Sequence, residues 1–146
     1  IEASTIDRTE SAEMMAPKER YLPAHWDELA ARYGHKYVCL GQHHDNYPQV
    51  ITSKYPIENV KRIAGPKEKP VMHGAAWSTV TVKGRKLNLV TVHPVPHRGN
   101  DAYRNHEMKI ILDETIKSDP NAKDGLWLMA GDFNCVSRVD NFFYNS

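Results

Sequence analysis

Cysteine is almost absent from this sequence: two residues, Cys39 and Cys135, in a chain of 146. Two thiols exclude a disulfide framework, and neither belongs to a paired-cysteine metal knuckle. Long apolar runs are lacking as well. The longest are a handful of residues, whereas a membrane-spanning helix needs about 20. Nor is either charge in excess, since 19 Lys and Arg face 18 Asp and Glu for a net charge of +1. That balance removes the electrostatic case for tight nonspecific nucleic-acid binding, while leaving room for a basic cleft on a neutral surface. Internal repeats and low-complexity segments are absent. So is an initiating Met: the chain opens on Ile1-Glu2-Ala3-Ser4, which reads as the tail of a strand already under way. It stops at Phe142-Phe143-Tyr144-Asn145-Ser146, an aromatic segment that would normally bury against something later in sequence. Together the ends are expected to be those of a fragment, and the compartment is not legible from them.

What is present is the composition of an ordinary soluble globular chain, 40% hydrophobic and 25% charged, at the length of one compact domain. Residues 5–20 are polar and mixed, a loop or irregular helix. Leu22, Trp26, Leu29, Ala30 and Tyr33 recur at helical spacing and predict a short helix over Ala24 to Tyr33, with Pro23 at its first turn and Gly34 ending it. Three strand-like runs follow, Lys36 to Leu40, Gln49 to Ser53 and Glu58 to Ile63, separated by turn signals at Asp45-Asn46 and Tyr55-Pro56. Gly65 to Pro70 reads as a charged loop. Ala76 to Val82 and Lys86 to Val92, joined by Lys83-Gly84-Arg85, form the clearest hairpin. Asp101 is expected to cap a helix running from Ala102 to about Lys117, with Met108, Ile111, Leu112 and Thr115 inward. Leu126 to Ala130 reads as a short buried central strand. This order of elements argues a layered α/β or α+β sheet domain.

Two of the strands finish alike. Leu87 to Val92 runs into His93-Pro94, and Leu126 to Ala130 runs into Gly131-Asp132-Phe133-Asn134. A scaffold holds titratable groups rigidly at such strand ends. If the chain starts at the end of another strand, Glu2 joins the set. Glu, Asp and Asn are hard oxygen ligands suited to Mg²⁺, and His93 is placed to bond a phosphate oxygen or a developing negative charge. Taken singly, Asp132 also reads as a loop cap or helix start, Asn134 as a turn residue and His93 as a strand-end histidine. His43, His44, His73, His97 and His106 are scattered without metal spacing and receive no role. Arg104 and Glu107, three apart on the predicted helix, read as a surface pair.

Leu128-Met129-Ala130-Gly131-Asp132-Phe133-Asn134 resembles the Gly-Asp-Phe-Asn signature of the endonuclease/exonuclease/phosphatase superfamily, the DNase I-like fold. Val50-Ile51-Thr52-Ser53-Lys54-Tyr55-Pro56-Ile57 is similar to the family's hydrophobic-Ser-Arg-Tyr-Pro-Ile segment. Leu89-Val90-Thr91-Val92-His93 is similar to its Asn-Thr-His-Leu strand end. Arg104 to Glu107 stands where the family carries an Arg and a Gln or Glu, and Ile1-Glu2 looks like the end of its Gln-Glu strand. The resemblance implies a four-layer sandwich of two packed β-sheets flanked by helices, around a metal-dependent phosphoesterase site. Residues 1–146 would be a partial domain, missing its first strand or strands and its C-terminal part. Glu2 would then bind the divalent ion, Mg²⁺ or Mn²⁺. Asp132 would orient or activate the attacking water, and Asn134 would hold the scissile phosphate or support the metal site. His93 would hydrogen-bond a phosphoryl oxygen as charge builds. The implied chemistry is in-line hydrolysis of a phosphoester by the whole protein.

The family's upstream Asn and its Ser-Asp-His ending have no counterpart in this stretch, so the stretch alone is expected to be inactive. The rest of the same fold, or another chain, would be needed to complete the core. Across the family substrates include nucleic acids, lipid phosphates and sugar phosphates, so membership does not select one. Arg98, in the loop after His93, is the most suggestive substrate contact. Lys54, Lys61, Arg62, Lys67 and Lys69 are candidates for a phosphate-tracking surface, and Tyr47, Tyr55 and Trp77 for stacking on a base. A non-catalytic DNase I-like binding module and a different hydrolase that merely shares Gly-Asp-Phe-Asn are the rival classes, and a DNA endonuclease is the alternative within the phosphoesterase reading. A Cys135 nucleophile is a weaker third, without an identified His partner.

Overall fold

A computed structural model describes residues 26–41, 49–96 and 99–135. The strand and turn signals become two α-helices and six strands among those residues: α1 (Trp26–Arg32), β1 (Tyr37–Leu40), β2 (Val50–Ser53), β3 (Ile57–Ile63), β4 (Ala75–Val82), β5 (Arg85–Val92), α2 (Asp101–Glu114) and β6 (Leu126–Gly131). Strands β1 and β2 make an antiparallel ribbon, and the other four form a sheet in the order β3-β4-β5-β6. The first three of these pair antiparallel, whereas β6 lies parallel to β5. A parallel neighbour needs a crossover connection, and α2 supplies it. The architecture is α+β, as expected.

The β4–β5 turn shows why the hairpin was legible. Val82 pairs with Arg85, leaving only Lys83 and Gly84 in the turn, with φ of 50° and 76°. Positive φ at both central residues matches the twist of the flanking strands. A second local device sits in β3, whose register against β4 shifts between Glu58 and Lys61. Such a bulge turns the strand's side chains over. Ile57 accordingly joins one apolar cluster and Ile63 the other.

Those clusters lie on opposite faces of the sheet. Ile63, Val71, Ala75, Val90 and Val92 pack with Ile111 of α2, joined by Trp77, Met108, Trp127 and Met129. Asn88 is buried there with its polar atoms satisfied. Its Oδ1 accepts the Trp77 indole N–H at 3.2 Å, and its amide donates to Leu126 O at 3.2 Å. On the other face Val80 and Ile57 meet Cys39 of the ribbon, with Ile51, Val82 and Leu89 around them.

Several expectations need correction. Strand β6 is the edge strand of its sheet among the described residues, not a central one. Trp127 and Met129 pack inward, but Leu126 and Leu128 on its other face are 43% and 51% exposed. A continuous apolar run records that both faces favour burial; it does not say what covers each. Tyr33 is 70% exposed rather than on an inner helix face, because α1 ends at Arg32. Asn100, not Asp101, precedes the first turn of α2, without a side-chain cap bond; Asp101 pairs instead with Arg104. The helix closes at Glu114, before a 3-10 turn over Ile116–Ser118. No described helix is long and apolar enough to cross a membrane.

Candidate active site

The parallel pairing of β5 with β6 brings the two strand ends together. Val92 is the register partner of Gly131, so His93 and Asp132 leave adjacent strands side by side. Gly131 is required here. Its φ is 148°, and a Cβ would stand 1.9 Å from Val92 O. The glycine of the Gly-Asp-Phe-Asn run therefore lets two backbones touch where the polar residues emerge.

Beyond Gly131 the chain turns tightly. Asp132 Oδ1 accepts the Asn134 N–H at 2.8 Å, and Asn134 adopts a φ of 49°. A short polar side chain is among the few that tolerate that conformation. The Asn134 amide donates to Pro94 O at 2.8 Å, across to the segment that follows β5. Asn134 thus ties the two strand ends together; in this arrangement its amide is engaged with backbone. Asp132 itself is exposed.

His93 and Asp132 both line a groove of about 490 Å³ between the ribbon and the β5–β6 face. Gln49 to Thr52 form one wall, and Leu89, Thr91, Leu128 and Ala130 the other. The His93 ring lies against that of His73, with centroids 4.3 Å apart and planes tilted by 35°. His73 is buried, and its carbonyl accepts the Gln49 side-chain N–H at 2.7 Å.

The structure therefore brings together His93, Asp132 and Asn134. Glu2 and Arg98 lie outside the described residues, as do His43, His44, Tyr47 and His97. Among the described residues no group of three or more His, Cys, Asp or Glu gathers to hold a metal ion. Asp132 is an oxygen donor of the kind Mg²⁺ takes, but alone it is not a complete ligand set. Cys135, next to the motif, is exposed.

Two residues were missed. His73 received no role, and its proximity to His93 comes from β4 lying beside β5. Glu107 is not half of a surface pair: it is fully buried, while Arg104 pairs with Asp101 and donates to Val95 O at 3.1 Å. Glu107 and Ile111 of α2 and Thr115 just after it recur every four residues, and all three are buried. A carboxylate in an inward stripe was the available signal. Of the surface candidates, Lys61 pairs with Glu114 at 3.3 Å, and Arg62 donates to Leu40 O at 3.0 Å. Lys69 lies over the Tyr103 ring, 5.2 Å from its centroid. Trp77 packs on Trp127 at 5.3 Å within the helix-side core, which removes it as a base-stacking platform.

No protein-family model matches the chain, and no curated protein matches it in sequence. Solved structures do. D. rerio TDP2 complexed with single strand DNA product is similar at a TM-score of 0.62 and 22% identity, over 84% of this chain and 48% of that one. A β-hairpin deletion mutant of beta toxin from Staphylococcus aureus gives 0.55 and 19%, over 82% and 52%. SmcL gives 0.58 and 14%, over 99% and 65%. The chain spans about half the length of the TDP2 and beta-toxin chains. At these identities the likeness is one of fold. With its helical crossover and two sheets, the chain has part of the DNase I-like fold that these structures share.

Proposed function

We propose that this chain is part of a metal-dependent phosphoesterase whose reaction takes place at the His93–Asp132 end of the groove. The observation that supports this most is the convergence of those two residues at the ends of parallel neighbours, one an imidazole and the other an exposed carboxylate. Asp132 accepts or orients the proton of the attacking water. His93 donates to a non-bridging phosphoryl oxygen as negative charge accumulates. Asn134 holds the two strand ends together through its bond to Pro94 O. Glu2 would hold Mg²⁺ or Mn²⁺, and the ion would supply Lewis-acid polarisation of the phosphoryl group.

The remaining half of the fold, in the same polypeptide or another chain, would cover Leu126 and Leu128 and complete the site. Exposed apolar side chains on an edge strand are the surface such a completion would bury. DNA belongs in the substrate panel because D. rerio TDP2 is described with a single strand DNA product. The net charge of +1 weighs modestly against a dedicated DNA nuclease.

The test is an activity panel on the full-length protein with Mg²⁺, Mn²⁺ and EDTA, covering nicked and single-stranded DNA, short phosphodiesters, and lipid and sugar phosphates. Metal-dependent turnover of at least one class is expected. Asp132→Asn and His93→Ala should each lower kcat by about 100-fold or more. No turnover of any substrate, or full activity in both variants, would overturn the reading and favour a binding module.

A further inference from the structure

We infer that Glu107 is a positioning residue for His93, acting through the backbone on either side of the His73–His93 pair. The inference rests on the proposed role of His93 and extends it to a residue that touches neither groove nor substrate.

A carboxylate with no exposure to water is costly unless its oxygens are satisfied. Glu107 satisfies them on two different segments. Its Oε1 accepts the Met72 N–H at 2.7 Å, and its Oε2 accepts the Val95 N–H at 2.7 Å. Met72 directly precedes His73, and Val95 follows His93 by two residues. One side chain on α2 therefore fixes the backbone beside both stacked imidazoles. Charge-assisted bonds of this length are the stronger kind, and both oxygens act as acceptors, so each N–H needs its own.

The segment after His93 is held from other directions too. Asn134 donates to Pro94 O, and Arg104 to Val95 O. Neither of those bonds reaches the His73 segment. Glu107 bridges the two, and its loss removes that tie between the segments that carry the imidazoles. A displacement of about 1 Å at a group bonding the transition state is enough for a large loss of rate.

The informative change is Glu107→Gln, which keeps the shape and one acceptor oxygen but turns an NH₂ toward the second backbone N–H. In the full-length protein, kcat should fall by about 10-fold or more while KM stays within about two-fold, because the loss falls on transition-state geometry. The histidine Cε1–H resonances, assigned with His73→Gln and His93→Gln, should shift for both imidazoles in folded Glu107→Gln protein. Circular dichroism establishes the folded fraction. Unchanged His93 resonances in a folded variant, or a loss of kcat no larger than the loss of folded protein, would overturn the inference. Should Glu107→Gln not fold, Met72→Pro and Val95→Pro, which delete the two N–H donors singly, take its place with the same readouts. If the wild-type protein hydrolyses nothing, the functional reading falls while the resonances still decide whether Glu107 places His93.

Discussion

The two faces of the four-stranded sheet are built from similar residues but closed to different degrees. On one, α2 lies across the strands and Ile63, Val71, Ala75, Val92 and Ile111 are sealed completely. On the other, the short β1–β2 ribbon covers Val80 and Ile57 but stops short of β6, leaving Leu126 and Leu128 bare beside a groove. The helix-side face is finished by the local crossover that parallel pairing demands. The ribbon-side face is finished only near β3 and β4. His93 and Asp132 sit where the finished part gives way to the open part, so the same geometry that exposes apolar surface also gives access to the polar strand ends.

The largest effect separating the faces should come from truncating one leucine-sized side chain on each. Ile111→Ala removes a fully buried side chain from the helix-side core and should cost about 2–5 kcal/mol in urea unfolding. Leu128→Ala, measured on this chain alone, should change stability by no more than about 0.5 kcal/mol. In the full-length protein the Leu128 cost should rise toward that of Ile111. Equal and small costs in both settings would mean that nothing covers β6.

Thiol reactivity gives a second, smaller contrast. Cys39 is buried between ribbon and sheet, and burial pushes its thiol up, against the partial opposing effect of the Arg62 charge. Cys135 is exposed beside the groove. A disulfide reagent at pH 8 should modify Cys135 at least about 10-fold faster than Cys39 in native protein. Comparable rates would show that the ribbon opens readily and that this core is looser than its packing indicates.

The smallest expected effect lies on the solvent side of α2. Hydrogen bonds from Lys109 and then Lys117 hold the Asp113 carboxyl below its usual value of 3.8. A lowered folded-state value stabilises the fold above the unfolded one and loses that stabilisation as pH falls through the folded one. Asp113→Asn should therefore lower Tm slightly at neutral pH, with the difference shrinking in high salt and vanishing well below pH 3.8. A Tm difference that persisted in acid would assign the effect to helix propensity rather than to the ion pairs.

Strand existence was legible because it depends on near neighbours. The alternation in β4 and β5 and the Lys83-Gly84 turn carry their own instructions, and the structure follows them within a residue or so. The strand-end logic was legible too: His93 and Asp132 were singled out from their places after apolar runs, and both line one groove. Asn134 stood out as a candidate from its place in the motif, whereas its bond to Pro94 O, which crosses between two strand ends, was not legible. The exposed side of Leu128 was not legible, because an apolar side chain has the same identity whether its partner is near or far in sequence. Glu107 was misread for a related reason. A charged residue on a helix usually faces water, and only the two backbone N–H groups that meet it make burial affordable.

By itself, then, the sequence determined the strands, the hairpin, the crossover helix and the polar residues at two strand ends, all consequences of local periodicity and turn chemistry. Tertiary structure decided which of those polar residues meet, that His73 stacks on His93, and that Glu107 ties both segments down. Each of these depends on which strands pair and in what register, and that choice is made by burial across the whole sheet rather than by any short stretch of chain.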